Sequence, residues 1–268
     1  MSITSAVLAT VGIFVFAVPD RASWGYLVIT TFLHIGYFLL LLKTFEIGDF
    51  NQVYPLARGL SPVPVAALAE LIGDPMSGQQ TVGIAVVCCG LAALVFSAGR
   101  PKRAQRKALL WAVATGLSIA VYTVLDGMGV RRSGGAAGYT AWMMLGEGWG
   151  LAACCLVLMA KRRVAEAAEI SPTGTAANAP TNLRQSLARI SRGDWLRGLA
   201  AGVLMPLAYG LVLWAQTRGA LAAVSALRET SVIFGAALGS LFLREPFGRY
   251  RILAAVTIAS GIVILEMA

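Results

Sequence analysis

Charge is scarce in this sequence. Only 13% of its 268 residues are Asp, Glu, Lys or Arg, 57% are hydrophobic, and the mean hydropathy is +0.73. A soluble globular domain does not have that composition, so the chain reads as an integral membrane protein embedded in a lipid bilayer. Histidine is almost missing: His34 stands alone. The four cysteines form two adjacent pairs, Cys88-Cys89 and Cys154-Cys155, inside apolar runs. Neither pair has metal-ligand or redox spacing, so both read as packing residues, and no metal or other cofactor is expected. Acidic residues are outnumbered, 13 against 22 basic ones, for a net charge of +9. In a soluble protein that excess would point to nucleic acid. Here the basic residues lie in short segments between apolar runs, where membrane topology explains them and no nucleic-acid partner is implied. GMGVRRSGG has no Walker lysine and no third glycine of a dinucleotide fingerprint, and no nucleophile, base and orienting group is evident. The reading is therefore not an enzyme and not nucleotide-driven.

What is present is a series of apolar runs. Nine candidate spans cover roughly 3–18, 24–43, 52–72, 81–98, 108–129, 138–160, 198–216, 220–243 and 250–267. The first is short enough for a signal peptide. No lysine or arginine precedes it and no convincing cleavage site follows, so it reads as a retained span. Counting on alternate sides of the spans puts sixteen lysines and arginines on one side and only Arg21, Arg131, Arg132 and Arg218 on the other. The richer side is expected in the cytoplasm of a bacterial inner membrane, with the N-terminus inside and the C-terminus outside. The polar segment 161–193 is expected to be a flexible cytoplasmic loop, after a helix that KRRVAEAAE extends.

Two arginines, Arg58 and Arg228, lie inside spans, where a charge costs at least about 2.5 kcal/mol and needs a partner, a cavity or a substrate. They stand in similar surroundings, FNQVYPLARGLSPVPVAALAELIGDP and 220–246, which ends SLFLREP. Trp24 and Trp195, and Tyr37 and Tyr209, recur at offsets within two residues of the arginine offset of 170. An internal repeat follows: 1–98 as the first copy with four spans, 99–107 as a basic linker, and 108–268 as the second copy with five. The uneven count implies that one helix before Ile3 is missing.

Prolines 55, 62 and 64 are expected to disturb the third span on both sides of Arg58, and broken backbone at membrane depth is tolerated where it lines a cavity. Arg58 either lines that cavity or pairs structurally with a carboxylate. Arg228 and Glu229 are sequence neighbours about 100° apart on a helix, so each is expected to look elsewhere. Asp126 and Glu147 are the other intramembrane carboxylates, and one or both could face an arginine. With Glu229 they are candidates for an ion pair or for proton coupling. His34 is a packing histidine bonded to another helix, a proton relay or a substrate contact. Tyr37, one turn further on, and Tyr54, Tyr122 and Tyr209 would line whatever His34 and Arg58 face. Gly235-x-x-x-Gly239 and Ala236-x-x-x-Ser240 permit close helix packing within the monomer or a homodimer seam.

Three segments, HIGYFLLLLKTFEIGDFNQVYPLARGLSPV, YTVLDGMGVRRSGGAAGY and AYGLVLWAQTRGALAAVSALRETSVIFGAALGSLFLREP, resemble the EamA branch of the drug/metabolite transporter superfamily. Within it the chain is most similar to a subgroup of membrane proteins associated with phosphonate utilisation. The resemblance implies an all-α polytopic fold of two inverted five-helix repeats around a cavity open to alternate sides, in exporters of amino acids, metabolites or drugs. Two departures stand out: the helix before Ile3, and Gly73-Asp74-Pro75 where Gly-Glu is usual. The leading expectation is a secondary transporter exporting a small polar or anionic metabolite, its substrate held by Arg58, Arg228, Tyr54, His34, Tyr37 and Tyr209. The alternative is an accessory or scaffold membrane protein whose buried charges pair structurally.

Overall fold

The structure is a computed structural model that describes residues 2–48, 50–97, 106–168, 191–231, 234 and 249–267. Among these the chain is all helix: α1 (Ser2–Val15), α2 (Trp24–Ile47), α3 (Phe50–Gly59), α4 (Pro62–Leu71), α5 (Gly78–Ser97), α6 (Arg106–Arg131), α7 (Ala136–Ala168), α8 (Arg192–Gln216), α9 (Leu221–Arg228) and α10 (Arg249–Glu266), with a single 3-10 turn at Arg21–Ser23. Most of the expected 99–107 linker, most of the 161–193 loop and the small-residue pairs from Gly235 to Ser240 lie outside the described residues, as does Glu245-Pro246; Arg106 and Lys107, read as linker, open α6 instead.

Four stretches are long and apolar enough to cross a bilayer: Arg21–Ile47, Arg106–Arg131, Ala136–Lys161 and Gly193–Gln216. On these and the other helices the outer faces carry exposed large apolar side chains, among them Phe14, Phe32, Leu71, Leu110, Leu211 and Leu253. Such a surface is stable against lipid and not against water. The chain is thus an all-α, multi-pass membrane protein.

The third span bends where the sequence says it must, but on one side of Arg58 only. Pro55 falls within α3 without interrupting it. Pro62 opens α4 and has no N–H to give the Arg58 carbonyl four residues back. Ser61 takes over: its backbone N–H donates to that carbonyl at 3.2 Å and its hydroxyl at 2.9 Å. α8 solves the same problem through a neighbour. Pro206 lies inside it and leaves the Gly202 carbonyl unserved, and the Ser5 hydroxyl of α1 donates to that oxygen at 2.9 Å. Both repairs fit the rule that backbone at membrane depth finds its partners within the protein.

The longest seam runs between α5 and α10, where the buried faces Ile84, Val87, Leu91 and Ala254, Ile258, Leu265 interlock. Glycines set its spacing: a Cβ on Gly90 would sit 2.6 Å from Ile258 and one on Gly261 would sit 2.8 Å from the Gly83 carbonyl. Residues without side chains let the two backbones touch. α2 packs along α6 and α1 along α7.

At one end of the bundle the helix connections converge. The Asp20 N–H donates to the Ser133 carbonyl at 3.1 Å, joining the α1–α2 and α6–α7 connections. Gly73, with φ of 80°, closes α4 in a Schellman turn: its N–H reaches the Glu70 carbonyl at 3.1 Å, and that of Asp74 the Ala69 carbonyl at 2.9 Å. Only glycine enters that backbone region freely, and the turn aims Asp74 at the end of α6. There Arg131 donates to both Asp74 oxygens at 3.1 and 3.3 Å, to the Gln216 carbonyl at 2.8 Å and to the Gly219 carbonyl at 2.7 Å. The Leu221 N–H completes the latch at 2.9 Å from Asp74. Arg132 lies over the Tyr26 ring and Arg218 over the Trp214 ring. Three of the four arginines counted on the poorer side are therefore held at this one end.

Candidate functional site

Arg58 closes α3 and Arg228 closes α9, so both arginines stand in the last turn of a short helix, where a cation meets the negative end of the helix dipole. Between them sits Glu229, fully buried, its Oε1 3.8 Å from an Arg58 Nη1 and 3.5 Å from the Arg228 Nε. The expectation that Arg228 and Glu229 face apart is overturned. It rests on the angle between neighbours on a helix; α9 stops at Arg228 with Glu229 as its cap, and the long arginine side chain folds back onto its neighbour. Neither contact is closed by a hydrogen bond. The Nε and Nη2 of Arg228 and both oxygens of Glu229 have no hydrogen-bond partner among the described residues. Two cations and one anion leave this buried group with a net positive charge and unused N–H donors. Tyr54 joins it, with the Arg58 guanidinium 5.7 Å from its ring centroid.

Asp126 does not face an arginine, contrary to one of the expectations above. It sits on α6, fully buried, 3.6 Å from His34 Nε2. Tyr209 donates to its Oδ2 at 2.7 Å and Tyr139 to its Oδ1 at 3.4 Å. The partner expected for His34 on another helix is this carboxylate, while its Nδ1 meets its own helix, 2.9 Å from the Thr30 carbonyl. Tyr122, one turn before Asp126, lies against His34 with ring centroids 4.1 Å apart, and Tyr37 meets Tyr122 at 5.4 Å. The candidates therefore form two groups, Arg58, Arg228, Glu229 and Tyr54 in one and His34, Asp126 and Tyr209 in the other, with Tyr37 and Tyr122 extending from the second. Glu147 is buried on α7, and its Oε2 has no hydrogen-bond partner among the described residues.

Sequence reasoning missed Tyr139 and the Asp74–Arg131 latch. Tyr139, Met143 and Glu147 recur every four residues on α7 and are all buried, a helical stripe that marks Tyr139 as inward-facing. Asp74 and Arg131 carry no such pattern, because each stands at a span end and is far from the other in sequence.

A groove of about 580 Å³ between α1, α7 and α8 holds none of these residues. Leu8, Phe16, Met144, Leu207 and Trp214 line it, and it is almost wholly apolar. The buried polar residues singled out above lie elsewhere.

Residues 106–267 match the EamA-like transporter family, well over half of the chain. The chain belongs to that family. The match begins at the first residue of α6 and takes in Asp126, Glu147, Tyr209, Arg228 and Glu229, while His34, Tyr37, Tyr54 and Arg58 precede it. It is a match to the EamA-like family as a whole and does not extend to the phosphonate-associated subgroup. The EamA-like chain also shares its fold with a protein of known crystal structure, 15% identical, at a TM-score of 0.71, over 99% of this chain and 87% of that one. No curated protein matches it in sequence.

Proposed function

We propose that this protein is a secondary transporter that exports a small anionic metabolite, a carboxylate or phosphonate-like compound, by alternating access across the bacterial inner membrane, with its N-terminus in the cytoplasm. One observation carries the reading: two arginines and a single glutamate meet in a buried group whose guanidinium donors are only partly used. A buried charge left without hydrogen bonds is costly, and an anion entering between Arg58 and Arg228 would supply the missing acceptors. Glu229 then acts as an internal competitor. It balances the arginines while substrate is away and is displaced from them when substrate binds, which gives the two states a differential contact to select between. Membership of a transporter family supports the same reading. The two arginines at matched places in the chain suggest inverted repeats presenting one cation each to the substrate.

Uptake into proteoliposomes tests this with a panel of carboxylates, amino acids and phosphonates. At least one anion should accumulate, Arg58→Ala and Arg228→Ala should each abolish its transport, and Glu229→Gln should lower its KM while slowing turnover. Full uptake of every transported compound by both arginine variants would refute the anion site.

A further inference from the structure

The anion site leaves the second buried group unexplained, and the geometry of that group fixes where its protons are. The Thr30 carbonyl can only accept, so His34 Nδ1, 2.9 Å away, carries a hydrogen. The other ring nitrogen, Nε2, faces Asp126 Oδ2 at 3.6 Å. Both oxygens of Asp126 also receive phenolic hydrogens, from Tyr209 and Tyr139. If histidine were neutral and aspartate ionised, the Nε2 lone pair would face a fully buried carboxylate. That arrangement is repulsive, and it leaves a negative charge in a low-dielectric interior. One proton between Nε2 and Asp126 removes the conflict, while Nδ1 still donates to Thr30 and the aspartate keeps its two phenol donors. A proton on Asp126 donated to Nε2 satisfies the same geometry, so the loaded form is one proton shared by the pair.

We propose that His34 and Asp126 together form a proton-binding site, distinct from the arginine group, and that a single proton taken and released there is the coupling ion of transport. The coupling half of this inference rests on the transporter reading; the proton-binding half does not. The groups that act on the pair come from every helix packed around it: Tyr37 on α2, Tyr122 on α6, Tyr139 and Glu147 on α7, and Tyr209 on α8. Glu147 acts electrostatically on both His34 and Asp126. Arg58 on α3 and Arg228 on α9 act on Tyr122, and Arg228 acts on Tyr209 as well. Both arginines act on Tyr37 as well, and Tyr122, against which it packs, also touches the histidine ring. An anion that changes the charge around the arginines would be sensed through Tyr122 at the proton site, which is the reciprocal linkage coupling requires. The pair titrates as a unit, so its one excess proton belongs to both residues.

The chain's single histidine makes the site directly readable. Full-length protein labelled with 15N-histidine in lipid nanodiscs should give one pair of ring signals, which change in a single step as the pair takes up or releases its proton. Asp126→Asn should reduce the proton affinity of His34 at least tenfold. Tyr209→Phe, a milder change that removes one phenol donor from the carboxylate, should raise it severalfold. An affinity unchanged in both variants would overturn the shared site. Coupling is read separately, in proteoliposomes with methylphosphonate and succinate as probe anions and an imposed pH gradient. Asp126→Asn should abolish the dependence of uptake on the gradient while a gradient-free exchange of the same anion persists. If the gradient still drives the variant, the proton is not the coupling ion. If neither probe moves in the parent while the histidine titrates as described, the proton site stands and the anion assignment falls.

Discussion

Asp74→Ala removes three contacts at once from the end of the bundle where the connections converge: two Arg131 N–H groups at 3.1 and 3.3 Å and the Leu221 N–H at 2.9 Å. The Asp74 and Arg131 side chains are 21% and 31% exposed, so the ion pair itself is screened and contributes about 0.2–1 kcal/mol. The hydrogen bond from a backbone N–H to the charged carboxylate contributes about 1.5–3 kcal/mol. Together, about 2–4 kcal/mol hold the end of α4 against α6 and α9, equivalent to roughly 30- to 700-fold in the ratio of closed to open forms. If that end opens during transport, the variant favours the open form by this factor. The assay starts from a chain whose four cysteines are replaced by serine, with a single cysteine at Ser225, which is fully buried on α9. Labelling by a membrane-impermeant maleimide should accelerate at least 30-fold on adding Asp74→Ala. Asp74→Asn keeps an acceptor for Leu221 and should give a smaller acceleration. A lower unfolding temperature with labelling unchanged to within twofold would show that the latch holds the fold and not a gate, and the reasoning would fail.

Other outcomes are expected. Arg228→Lys keeps the charge but loses the planar fork, so the KM for a transported anion should rise about tenfold or more while expression stays at the parent level; an unchanged KM would make the arginine structural. Ser5→Ala leaves the Gly202 carbonyl beside Pro206 without its donor and should cost about 1–3 kcal/mol, read as a lower midpoint in detergent unfolding. The same substitution paired with Pro206→Ala should recover most of that loss, because the helix regains its own donor. A periplasm-active reporter fused after Ala268 should be active, in keeping with the lysine and arginine count; a cytoplasmic signal would invert the orientation without changing the fold.

Much of the helical layout was legible because each span is a long apolar run between polar breaks, and lipid permits few alternatives to a helix there. The two arginines were legible because each is an isolated charge in such a run. Their partner was not. Glu229 was assigned away from Arg228 on the premise of a continuous helix, and where α9 ends is decided by tertiary contacts that the local sequence does not carry. Asp126 was recognised as a candidate for an ion pair or for proton coupling, without a named partner. Which carboxylate meets which base depends on the rotation of α2 against α6, and a chain whose helices are apolar all round gives little sign of that rotation. Pro62 announced a backbone defect, but only the folded chain shows that it is mended from within the same turn and that a second defect, at Pro206, is mended by Ser5 from a different helix.

The glycine-lined seam between α5 and α10 also bears on how the protein is made. α5 leaves the ribosome long before α10, and until then its bare backbone at Gly83 and Gly90 has only lipid to lie against. The bundle therefore cannot reach its final form as its helices enter the membrane one by one. The intervening helices wait in an unfinished assembly that the arrival of α10 completes. A nascent chain halted before Arg249 would present an unmatched small-residue stripe, the kind of surface on which membrane helices associate with the wrong partner. Quality control in the membrane would find that stripe on every stalled copy and on no finished one.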